Sequence, residues 1–322
     1  MRNGEEAGNA LLRAEFPARI SKEEGILQPF NYVAPLDLRE ASTLLSSAEG
    51  RAWALQGGTD LLVRIRAGVV QPGLVVDLKK LPGMQAIREW PDGWLSIGAA
   101  CTMNQVANES FVRERYDLLA QACNSVASYQ LRNRATVGGN CCNGSPAADT
   151  APALYCLGAE AEIFGPSGQR RVPIDRFFTG PGRTALGPGE FMSAILLPPV
   201  SPEAQGVFNK LGRTRAGDIS AVSVAVYAFE GTDAGSRKAA ARYCWRIALG
   251  AVGPTPMRAL RAEASLMQDH SSSGVAAAAE MAAQAAQPID DVRASGAYRR
   301  AMVRVLTRRG IESVLQKLEG IA

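Results

Sequence analysis

The stretch RNRATVGGNCCNGSPAADTAP, residues 132–152, brings Gly138-Gly139, Cys141-Cys142 and a late acid, Asp149, into one short segment. Upstream, QGGTD at 56–60 sets Gly57-Gly58 between an amide and a hydroxyl in the same way. Paired thiols suggest a metal, whereas paired glycines suggest an anion held by main-chain N–H groups. The six cysteines, at 101, 123, 141, 142, 156 and 244, form no Cys-x-x-Cys, and His270 is the only histidine. Zinc and iron–sulfur sites use paired ligand spacings, so no metal site is expected. Adjacent side chains diverge, and Cys141-Cys142 reads as buried, reduced thiols of a cytosolic protein.

Glycine allows positive φ and lets a ligand approach the backbone closely. Successive N–H groups in such turns form a concave anion site, and a following helix start adds roughly half a positive charge. Two such loops could cradle a pyrophosphate without a lysine; each could equally be a tight structural turn. Neither spells G-x-G-x-x-G or G-x-x-x-x-G-K-[ST], so Rossmann and P-loop sites are not supported. Asp149 suits either a nucleotide hydroxyl or the cap of the helix that follows. With one histidine a Ser-His-Asp triad is excluded, and no catalytic residue is assigned.

The surrounding pattern says what must carry these loops. RAWALQGGTDLLVRIRAG reads as strand, glycine turn and helix, capped by Thr59 or Asp60 and ended by Gly68. GLVVDLKKL is a buried strand, and GWLSIGAACTMNQVAN a strand leading into helix. Thr150 or Asp149 begins the next helix; strands follow around Ala161 and Ile163 and in PGEFMSAILLPPV. PPVSPEAQG marks a domain boundary. Beyond it lie strand, charged loop, long strand, and three alanine-rich helices, which predict a mixed sheet with helices on one side.

At 322 residues the chain can hold two domains. It is 47% hydrophobic and 20% charged, with a net charge of +4 and both signs interspersed. That is too mild and scattered for a nucleic-acid binder. No apolar run reaches the ~18–20 residues of a membrane span, and the N-terminus lacks a signal-like apolar core. A cytoplasmic protein is expected.

RNRATVGGNCCNGSPAADTAPAL, with LQGGTDLLVRIRAG, FFTGPGRTALGPGE, KLGRTRAGDISAVSVAV and RIALGAVGPTPMRA, runs in order from about residue 29 to the C-terminus. Together these resemble the FAD-binding (medium) subunit of molybdenum hydroxylases, the xanthine dehydrogenase and carbon monoxide dehydrogenase family. The resemblance implies an α+β fold: an FAD-binding module of two small α/β subdomains (about 29–84 and 85–203), then a C-terminal α+β domain, 204–322. Residues 1–28 form an N-terminal extension outside it.

The resemblance further implies that Leu55, Gln56, Gly57, Gly58, Thr59, Asp60, Leu61 and Leu62 wrap the FAD pyrophosphate. Thr136, Val137, Gly138, Gly139 and Asn140 would do the same from the other side. Asp149 would meet the ribose, Met192 the nucleotide, and Lys210, Asp218 and Ile219 the isoalloxazine. Val126 and Ile219 stand where some members stack an aromatic ring. FAD would be non-covalent, and no [4Fe–4S] insertion is present. The implied role is to relay electrons from a small [2Fe-2S] subunit to NAD, oxygen or another acceptor. A large molybdopterin-binding subunit would hydroxylate a heterocycle or aldehyde, the whole being a dimer of heterotrimers. A stand-alone FAD oxidase or reductase and a flavin-free structural subunit are the alternatives.

Overall fold

The computed structural model describes residues 28–47, 50–214, 217–231 and 243–320. The expected extension at 1–28 lies outside the described residues apart from Gln28. The chain opens with β1 (Asn31–Val33), α1 (Leu38–Ser47), β2 (Ala52–Leu55), α2 (Leu61–Arg66) and β3 (Leu74–Asp77). These strands pair in parallel in the order β1-β3-β2. Parallel neighbours need a crossover, and α2 supplies it between β2 and β3. Gly68, at φ +69°, stops α2 by returning its N–H to Ile65 O, as its position in the sequence suggests. Asp60 occupies the N-cap position but makes no capping bond with its side chain.

Next come β4 (Ile87–Glu89), β5 (Leu95–Gly98), α3 (Met103–Asn108), α4 (Ser110–Arg115), α5 (Asp117–Ser125), α6 (Tyr129–Arg132), α7 (Val137–Cys142) and α8 (Thr150–Leu157). They lead into β6 (Glu160–Gly165), β7 (Gly168–Pro173), α9 (Ile174–Phe177), β8 (Phe178–Gly180), β9 (Arg183–Thr184) and β10 (Phe191–Leu197). Five of these strands form an antiparallel sheet ordered β4-β5-β10-β6-β7. The second glycine pair corrects the sequence reading: Gly138 and Gly139 lie within a short helix, not a loop. Thr136 starts that helix, its hydroxyl accepting from Gly139 N–H. Glycine is needed at 138 for proximity, since a Cβ there would sit 2.5 Å from Ala99 Cβ. Helix α8 is buried on every side, as an all-apolar helix must be.

The remainder comprises β11 (Gln205–Leu211), β12 (Val222–Glu230), β13 (Tyr243–Gly250), β14 (Met257–Arg258), α10 (Leu260–Leu266), α11 (Ser272–Ala285) and α12 (Gly296–Leu318). The α+β class holds, but the sheet expected to be mixed is antiparallel throughout, ordered β11-β12-β13-β14. Among the described residues the helices follow these strands as a block, with no crossover helix to bring two of them parallel. Both faces of the sheet are covered. Val222, Val224 and Val226 of β12 join the core under α10–α12, while Ala225 and Tyr227 join the core that contains α5 and α8. The period-2 alternation of a strand thus serves two layers at once.

Candidate functional site

Strand β2 ends at Leu55, whose side chain packs with Ile65, Val70 and Val75. The chain then turns through Gly58, at φ +78°, into α2. The successive main-chain N–H groups of Gly57, Gly58, Thr59, Asp60 and Leu61 have no acceptor among the described residues. The β2 ladder has finished, and the first helical bond of α2 is the one from Leu62 N–H to Gly58 O at 3.1 Å. Such donors require water or ligand oxygens. Such a run of N–H groups suits an oxygen-rich anion such as a pyrophosphate.

The other segment behaves differently. Val137 N–H donates to Cys101 O and Gly138 N–H to Ala99 O, both at 3.2 Å. Gly139 N–H is taken by Thr136 Oγ1 and Asn140 N–H by Thr136 O. The start of α7 therefore offers no free N–H at these four positions, unlike the paired anion loops read from sequence. What it offers is the Asn140 amide NH2. Asn140 Oδ1 is already engaged by the Thr150 hydroxyl at 2.7 Å, which fixes the orientation of that amide.

Two hydrogen bonds and one close backbone approach hold the two segments together. Gln56, buried, donates from Nε2 to Met192 O at 3.3 Å, and its Oε1 accepts from the Thr136 hydroxyl at 3.4 Å. Asn143 Nδ2 donates to Asp60 Oδ1 at 3.3 Å. At Gly57 a Cβ would lie 2.3 Å from Arg134 O, so only glycine permits this approach. The side chains of Leu55, Val137 and Met192 are all buried, so these residues can serve a ligand only through their backbones. Leu61 packs partly on the small core, whereas Leu62 is exposed.

A second cluster lies where β11 meets α5 and α8. Asp149 occupies the N-cap position of α8 but makes no capping bond with its side chain. Instead its Oδ2 accepts from Lys210 Nζ at 2.6 Å and its Oδ1 from the Ser220 hydroxyl at 2.5 Å. Burial raises the Asp149 carboxyl above its ordinary value, and Lys210 and Ser220 limit the rise. Lys210 Nζ also donates to Ser125 O at 3.0 Å, next to Val126 at the end of α5. Asp218 binds Arg213 and turns Ile219 outward, leaving that residue exposed. Residue-by-residue reading missed Ser125, Ser220, Asn143 and Thr150. Ser220 stood beside two residues singled out in GDIS, but a lone serine carries no signal of its own.

Of the thiol pair read as buried, Cys141 is fully buried but Cys142 only half so. Desolvation pushes the Cys142 thiol up to about 12. Both stay protonated near neutrality and are poor ligands and nucleophiles.

Residues 28–200 match the family described as the FAD binding domain in molybdopterin dehydrogenase, and residues 207–314 the CO dehydrogenase flavoprotein C-terminal domain. The carbon monoxide dehydrogenase medium chain of Hydrogenophaga pseudoflava is 31% identical over 285 residues, covering 88% of this chain and 96% of that one. The xanthine dehydrogenase FAD-binding subunit of Escherichia coli O157:H7 is 32% identical over 292 residues, covering 90% and 97%. Among solved structures, the carbon monoxide dehydrogenase of H. pseudoflava lacking the Mo-pyranopterin moiety superposes with a TM-score of 0.84 at 32% identity, covering 91% of this chain and 99% of that one. Quinoline 2-oxidoreductase of Pseudomonas putida 86 gives 0.82 at 27% identity, covering 92% and 99%.

Proposed function

The chain belongs to the family of FAD-carrying subunits of molybdenum hydroxylases, and from that membership we propose that it relays electrons within a heteromeric complex. Its FAD would receive them from [2Fe-2S] clusters on a small subunit and pass them to NAD, oxygen or another acceptor. A large molybdopterin-binding subunit would carry out the hydroxylation. We divide the chain into an extension (1–28), an FAD domain (29–203) and a C-terminal domain (204–322), in a cytoplasmic dimer of heterotrimers. Among the described residues no helix is long and apolar enough to cross a membrane.

The observation that carries this reading is the run of unpaired N–H groups from Gly57 to Leu61, pressed against the start of α7. That donor set fits the FAD pyrophosphate, with Gly57, Gly58 and Gly139 keeping side chains out of the way. FAD, when bound, supplies the hydride and one-electron chemistry. The protein's part is to hold it. The turn at 57–61 binds oxygens, Asn140 adds a fixed amide, and Gln56 keeps the two segments in register. Thr136 supports that register through Gln56. Val126, Asp218, Ile219 and Lys210 would serve the flavin end.

The test is to purify the chain alone, record its visible spectrum and identify any chromophore released on heating. Flavin absorption, release of FAD, and no turnover of aldehydes or heterocycles without partner subunits are expected. A folded, colourless chain that takes up no added FAD overturns the reading. Turnover by the isolated chain would favour a stand-alone oxidase or reductase.

A further inference from the structure

Where the two family segments meet, residues 28–200 and 207–314, a cavity of about 80 Å³ lies between the start of α5 and strand β12. That is several times the space one water needs. One wall is the junction of α4 and α5, from Glu114 to Leu118; the linker around Ala204 and Tyr227 on β12 supply the others. Glycine at 206 lets α5 close on β11 here, since a Cβ would lie 2.9 Å from Leu118 Cβ.

This space is rich in hydrogen-bond donors. Helix α5 begins without a side-chain cap, and the N–H groups of Asp117 and Leu118 have no acceptor among the described residues. Leu119 and Ala120 return theirs to Tyr116 O. Free N–H groups at a helix start favour a negative charge.

Tyr227 supplies an independent donor. It is only 6% exposed and lines the cavity, yet its hydroxyl has no hydrogen-bond partner among the described residues. The neighbouring phenol of Tyr116, by contrast, is spent on Pro198 O at 3.0 Å. A buried hydroxyl without a partner is costly, so its place in this wall calls for a ligand. Burial pushes the Tyr227 phenol up to about 12, so it is a neutral donor at physiological pH.

The charges around the cavity have both signs. Arg115 stands in the wall, and the Arg246 guanidinium lies near enough to the Tyr227 phenol to oppose part of its rise. Glu114 and Asp117 also line the space, but Glu114 is exposed and Asp117 is turned onto Gln121 Nε2 at 2.6 Å.

We propose that this cavity binds one small oxyanion of the phosphate class. The anion accepts from Asp117 N–H, Leu118 N–H and the Tyr227 hydroxyl, with Arg115 beside it, and so fastens the two family segments together. The site shares no residue with the 57–61 turn and does not depend on the cofactor reading.

In the experiment the full chain is saturated with FAD, whose own phosphates then compete for the 57–61 turn. It is titrated with inorganic phosphate, against potassium chloride at matched ionic strength. Calorimetry reads the phosphate dissociation constant, and thermal melting reads stability. Wild type should take up a single equivalent and melt at a higher temperature as phosphate rises, whereas chloride should do neither. Tyr227→Phe should weaken phosphate binding about tenfold. Without phosphate its melting temperature should be unchanged, because the variant gives up no bond made within the protein. Arg115→Gln should weaken binding by a similar factor.

Glycerol phosphate separates the sources of the group. Tighter binding than inorganic phosphate marks a phosphorylated metabolite, weaker binding marks the free ion, and both support the site. Binding of neither overturns the proposal, as does equal phosphate binding in wild type and Tyr227→Phe. A chain that takes up no FAD overturns the cofactor reading alone; the same titration on the chain as purified, and its dependence on Tyr227, still decides this one.

Discussion

The structure buries Cys141 fully and Cys142 only in part, where the sequence reads the cysteine pair beside the second glycine pair as buried, reduced thiols. The Cys142 thiol stands at about 12, raised by desolvation. Alkylation of the native chain at pH 7 should leave both unmodified, as counted by mass after digestion, whereas unfolding in denaturant should expose both. Rapid native labelling of either one would mean a thiolate-stabilising environment that the structure does not contain. The burial of Cys141 fits its reading from sequence as a buried, reduced thiol. The Asp149 partnership was not legible in that way. Lys210 is 61 residues away, and only the packing of α8 on β12 and β13, with α5 on β11, brings the two together. The resemblance put both near a cofactor, but it did not show that they grip each other.

The two Gly-Gly pairs are alike in sequence and opposite in structure. One turns the chain with Gly58 at positive φ and leaves a row of N–H groups free; the other lies in α7 with its N–H groups engaged. Glycine permits both outcomes, so the letters alone cannot separate them. The strands were legible from their apolar runs, but such runs carry no direction, which is why the C-terminal sheet was expected to be mixed. At this scale the sharpest test is Gly57→Ala, whose new Cβ would meet Arg134 O at 2.3 Å, backbone against backbone. Separating turn from helix should cost about 1–3 kcal/mol and weaken FAD binding about tenfold or more in an equilibrium titration. Gly168→Ala, at φ +96° with nothing within 4 Å, should lower stability through backbone strain alone and leave FAD affinity unchanged. Equal FAD binding in wild type and Gly57→Ala would show that the contact between the segments does not shape the site.

Across the whole molecule, the seam between the two family segments is a hydrogen-bonded core. Gln121 on α5 donates to Gly206 O at 3.2 Å and accepts from Phe208 N–H at 2.9 Å. Arg246 on β13 donates to Cys156 O on α8 at 2.9 Å, and Ala251 N–H to Pro146 O at 2.8 Å. With the antiparallel sheet buried on both faces, neither side can unfold without exposing apolar surface of the other. Calorimetric melting of the chain should therefore give one transition whose calorimetric and van't Hoff enthalpies agree; two resolved transitions would contradict the shared core. Strand β12 is written in two interleaved alphabets. Val222, Val224 and Val226 answer to the helices that follow it, and Ala225 and Tyr227 to helices that precede it by dozens of residues. A chimaera spliced between relatives at the prolines near residue 200 would keep one alphabet with its reader and hand the other to a stranger. In this lineage the two segments can be exchanged only if every second residue of one strand is rewritten to suit its new neighbour.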